Sequence, residues 1–76
     1  MMGRPTIFGR ANGKRVQGVL TEEGTRELEM HRTALGVLYR QLTGRTIVPS
    51  DANTLEFALR GVRKTTTYLK QLKAQQ

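Results

Sequence analysis

The sequence predicts a mostly α fold with one short strand, assembled as an intertwined homodimer in which that strand pairs antiparallel with its own copy to form an intermolecular two-stranded β-ribbon. Three observations lead there. Residues 14–20, KRVQGVL, alternate with the period of a strand, and no second segment matches them with equal clarity. Two later stretches repeat apolar residues at helical spacing. Finally, a chain of 76 residues without cysteine has few means of stabilising a core alone, because so short a chain buries only about 60% of the surface it exposes when unfolded. A partner subunit supplies what disulfides and metals do not.

Residues 1–13, MMGRPTIFGRANG, carry four glycines or prolines with Arg4 and Arg10 and show no sustained period, so they are expected to form a flexible basic arm. An alternative pairs TIFGR with KRVQGVL across Ala11, Asn12 and Gly13, since Asn-Gly favours a tight hairpin turn. In the strand at 14–20, Val16, Gly18 and Leu20 point one way, while Arg15, Gln17 and Val19 point the other. A lone strand leaves N–H and C=O groups unpaired on both edges, and the simplest mate is a second copy.

Thr21 offers a hydroxyl cap for the next element, and Glu22 and Glu23 put negative charge where a helix start is positive. Leu28, Leu35, Leu38, Tyr39 and Leu42 then mark one helical face, and Gly44 suits the residue just past the helix end. Gly36 is a place where this helix could break in two. Pro49 disfavours helix for the residue before it, and either Ser50 or Asp51 can cap a second helix. That helix shows Leu55, Ala58, Leu59, Val62, Thr66, Leu69 and Leu72 on one face, weakened in the middle by Gly61 and three consecutive threonines. The expected division is therefore an arm at 1–13, a dimerising domain at 14–72 and a frayed polar tail at 73–76. Its expected dimer core is Val16, Leu20, Leu28, Leu35, Leu38, Leu42, Leu55, Leu59 and Val62.

Thirteen Lys and Arg against six Asp and Glu give a net charge of +7, which favours an anionic partner. Residues 1–20 hold Arg4, Arg10, Lys14 and Arg15 with no acid, whereas Glu22, Glu23, Glu27 and Glu29 crowd the next ten. No apolar run approaches a membrane span and no secretory signal opens the chain, so a cytoplasmic, nucleoid- or plasmid-associated location is expected, with no membrane partner. Catalysis has nothing to stand on. His31 is the lone histidine, one turn after Glu27, and reads as a packed or surface residue; no nucleophile pair, phosphate loop or metal-ligand set is present, so neither metal nor cofactor is expected.

The run GRPTIFG leading to KRVQGVLT, the acidic helix start TEEGTRELE and the second-helix segment PSDANTLEFALRG resemble the ribbon-helix-helix family of DNA-binding proteins, the Arc and MetJ group, over residues 3 to about 72. The resemblance implies a ribbon lying in the major groove of duplex DNA above a core of four helices from two chains. It also implies backbone contacts to DNA at the start of the second helix, at Ser50, Asp51 and Ala52. A groove about 12 Å wide admits such a ribbon, and Arg15, Gln17 and Val19 would face guanine, adenine and a thymine methyl. Lys14, beside the strand, and Arg45, in the turn before the second helix, are the side chains expected on the DNA backbone. Gly3-Arg4-Pro5 resembles the core of an AT-hook, which makes Arg4 and Arg10 arm residues for the minor groove or the backbone.

About 29 residues separate Thr21 from Ser50, more than compact members of that family need, so the first helix must be long. The function expected is a sequence-specific DNA-binding repressor, autoregulator or plasmid-maintenance factor, with a partition protein as a possible partner. The alternative is an antitoxin that binds DNA with the same domain and a toxin with residues from about 65 to 76.

Overall fold

The computed structural model describes residues 4–11, 13 and 18–74. Four elements follow in order: β1 (Arg4–Thr6), β2 (Gly9–Ala11), α1 (Glu22–Thr43) and α2 (Asp51–Ala74). The two helices pack on each other as a helical hairpin, and this pair makes the body of the molecule.

The ends of α1 are where local chemistry places them. Thr21 keeps an extended backbone and its Oγ1 accepts the Gly24 amide at 3.0 Å. Glu22 and Glu23 fill the first turn, where the partial positive charge of the free amides favours them. At the far end Gly44 turns to φ 77°, left-handed space that costs any other common residue roughly 1–2 kcal/mol, and its amide donates to the Arg40 carbonyl at 2.8 Å. The helix runs unbroken through Gly36. For α2 the cap is Ser50, whose Oγ accepts the Asn53 amide at 3.1 Å. Asp51 instead turns to Arg32, which also donates to the Pro49 carbonyl and to Glu29 at 3.0 Å. One guanidinium thus joins α1, the turn and the start of α2. Its bond to Asp51, then that to Glu29, raises its pKa, so the charge holding this corner is constant across the neutral range.

The core lies between the helices and is small. Leu35 from α1 and Phe57 and Leu69 from α2 are its buried apolar side chains, with Thr54, Thr65 and Pro49 beside them. The His31 ring meets the Phe57 ring edge-on at 6.1 Å, while its Nδ1 donates to the Glu27 carbonyl at 2.7 Å. His31 is therefore a packed residue. No helix of the described residues is long and apolar enough to cross a membrane.

The predicted fold class is overturned. Residues 18–20 form no strand, Val19 is 99% exposed, and among the described residues no strand lies after Ala11 from which the expected ribbon could be made. Lys14, Arg15, Val16 and Gln17 lie outside them. The argument that a lone strand needs a mate fails because an exposed extended segment can give its amides and carbonyls to water. The argument that the helices need a second chain to enclose any core fails as well, since α1 and α2 enclose one within a single chain.

The ladder that does form pairs Arg4 with Ala11, Pro5 with Arg10 and Thr6 with Gly9, turning at Ile7 and Phe8. This is a hairpin inside the segment read as an arm, and its turn is not the Asn12-Gly13 turn of the alternative reading. Phe8 at its tip packs on α2, with its ring centroid 5.8 Å from that of Tyr68, and this contact anchors the turn.

The buried face of α2 is also rotated from the predicted one. Thr54, Phe57, Thr65 and Leu69 face inward, while Leu55, Leu59 and Val62 are exposed, Leu59 at 86%. Leu20 is exposed too, and Leu28, Leu38 and Leu42 are half-buried.

Candidate nucleic-acid interface

Any polyanion site must be built from cations that the protein has not already neutralised. Three ion pairs are formed among the described residues: Arg32 with Glu29, Arg32 with Asp51, and Arg60 with Glu56 at 2.8 Å. Arg26, Arg40, Arg45, Arg63, Lys64, Lys70 and Lys73 are exposed and have no carboxylate within ion-pair distance among the described residues.

These seven are not spread evenly. Glu56 is the last acid of the chain, and every charged residue beyond it is basic. At 100° per residue, Arg63, Lys64 and Lys70 fall within about 120° of the α2 circumference, opposite Thr65 and Leu69, while Lys73 lies about 60° outside that arc, toward Leu69. Arg63 and Lys70 stand two turns apart, about 10 Å along the axis. The burial of Thr65 and Leu69 against α1 is what turns these cations to water.

No family model, no curated protein and no solved structure matches this chain. The site has to be read from the chain's own chemistry.

Of the residues singled out by sequence, Arg15, Gln17 and Lys14 lie outside the described residues, and Val19 is exposed just before α1. Arg4 and Arg10 stand on facing strands of the hairpin, one register step apart. Arg45 is exposed in the turn, its amide donating to Thr43 Oγ1 at 3.2 Å. At the start of α2 the Asn53 amide is already taken by Ser50 and the Asp51 carboxylate by Arg32, while Ala52 is exposed. Among the described residues of the predicted set, Arg45 is exposed just after α1 and Ser50, Asp51 and Ala52 are exposed at the start of α2. By sequence Arg63, Lys64 and Lys70 are candidates for phosphate contacts together with Arg40 and Arg60, but they rank behind Lys14 and Arg45 because helical charges are ordinarily solvated. The signal for them was present as the unbroken absence of acids after Glu56.

Proposed function

We propose that the protein binds duplex DNA without catalysing a reaction, through phosphate contacts from the acid-free half of α2, and that it acts in the cytoplasm as a regulator of transcription. The observation that carries this reading is the one-sided cluster of Arg63, Lys64 and Lys70, with Lys73 one turn further on and no acid beyond Glu56. Cations so arranged release condensed counterions from a duplex, and each phosphate neutralised steepens the salt dependence of binding by about 0.9 in log–log slope.

The test is affinity for a short duplex measured over a range of salt, with the wild type and a variant carrying Gln at positions 63, 64, 70 and 73. The slope should flatten by about 3 to 4 in the variant. An unchanged slope would remove α2 from the interface. Comparing the DNA upstream of the protein's own gene with a shuffled duplex then separates regulation from unspecific binding. The antitoxin reading needs residues from about 65 onward as a free handle; Thr65 and Leu69 are core residues here, so α2 offers that handle little support.

The working unit proposed is a homodimer. Met30 and Val37 on α1 and Leu55, Leu59 and Val62 on α2 leave apolar surface exposed, and a cavity of about 270 Å³ between the helices is lined by Met30, His31, Ala34, Phe57, Ala58, Gly61 and Val62. A second copy covering part of this surface would enlarge a core that is small within one chain.

A further inference from the structure

Helical threonines in this protein follow a habit. Thr25, Thr33, Thr43, Thr54 and Thr67 each donate the hydroxyl to the carbonyl four residues back, at 2.7 to 3.1 Å. Thr65 is fully buried, and its Oγ1 has no partner. Its acceptor by that habit would be the Gly61 carbonyl. Gly61 sits at φ 86° and ψ 166°, far from helical values, so α2 is bent there and this carbonyl is turned out of line. The orphaned hydroxyl and the bend are one defect. Both vanish if Gly61 adopts helical angles, because the sequence on either side is already helical.

Something must oppose that repair, and the contacts name it. Arg60, the residue before the bend, places its guanidinium 4.6 Å from the centre of the Phe8 ring and 5.5 Å from that of Tyr68, while Glu56 steadies it at 2.8 Å. Tyr68, seven residues after the bend, lies 5.8 Å from Phe8 ring to ring. The tip of the β1–β2 hairpin therefore touches α2 on both sides of Gly61. We propose that this hairpin is a strap: with Phe8 seated between Arg60 and Tyr68, α2 is held bent, and with Phe8 withdrawn α2 straightens and Thr65 regains its acceptor. Gly61 and Val62 line the cavity against α1, so the strap also sets the shape of that cavity. The device does not depend on the proposed DNA binding and stands or falls separately.

The chain has no cysteine, so Ala52→Cys and Gln71→Cys, both at exposed positions, give two unique sites for nitroxide labels on the full chain. In a straight helix these positions are about 28 Å apart along the axis, and a bend shortens the distance. The labelled wild type should give the short distance, and Phe8→Tyr, which keeps a ring on Arg60, should match it. Phe8→Ala should move most of the population to the long distance. A Phe8→Ala distribution identical to wild type, with helical circular dichroism retained, overturns the proposal. If Phe8→Ala instead loses helicity, Arg60→Gln carries the test, since it removes the guanidinium over the Phe8 ring and leaves Gly61 as free as before to hold φ 86°. A shift to the long distance supports the strap, and an unchanged short distance overturns it.

Discussion

Thr54 and Thr65 occupy equivalent places, both fully buried in α2, yet only one has satisfied its hydroxyl. A buried hydroxyl without a partner costs about 1–3 kcal/mol. Thr65→Val, which keeps the shape and removes that oxygen, should therefore raise unfolding stability by about 1 kcal/mol, whereas Thr54→Val forfeits a formed bond and should lower it by a similar amount. Urea midpoints at unchanged m-value would measure both, and equal shifts in one direction would contradict the assignment. At this scale much was legible in advance. The Thr21 and Gly44 caps depend on a side chain and its next few amides, which sequence alone places. The choice between Ser50 and Asp51 was not legible, because Arg32 decides it from nineteen positions away. Nor was the buried role of Thr54 and Thr65, since a pattern that scores threonine as polar overlooks both a hydroxyl bonded back onto its own helix, as at Thr54, and one buried without a partner, as at Thr65.

The helices were the legible elements and the strand was not. Apolar stripes of helical period, from Leu28 to Leu42 and from Leu55 to Leu72, identify α1 and α2 whatever surrounds them, whereas seven alternating residues can be exposed as easily as paired. On α2 the stripe of Leu55, Leu59 and Val62 outscored the true inner face, which is led by the single large ring of Phe57. The C-terminal boundary of α1 is a sharper matter. Gly44→Ala keeps every hydrogen bond of the cap but forces a Cβ into φ 77°, with nothing within 4 Å to blame for a clash. Thermal unfolding should show a loss of roughly 1–2 kcal/mol from backbone strain alone. No loss at all would mean that the helix end simply shifts.

For the molecule as a whole, the balance between apolar exposure and charge decides how it is met in solution. Among the described residues Leu35, Phe57 and Leu69 are the large buried apolar side chains, a thin core, and apolar seams are left over at Met30 and Val37 on α1 and at Leu55, Leu59 and Val62 on α2. Leu59→Glu should abolish the proposed dimer, as read by sedimentation, while leaving the helical signal unchanged, because Leu59 is 86% exposed in the single chain. A monomeric wild type would dismiss these seams as an interface. The candidate DNA site followed the same course as the core. Composition announced a polyanion partner, but only the fold, by committing Thr65 and Leu69 inward, grouped the cations that could meet it.

Arg32 has one further consequence. By gripping Glu29, the Pro49 carbonyl and Asp51 together, it closes the connection between the two helices much as a cross-link would, in a chain that contains no sulfur bridge. Such a clip is blind to oxidants and reductants, and it yields instead to acid that protonates its exposed carboxylates or to a competing anion that matches the same planar fork.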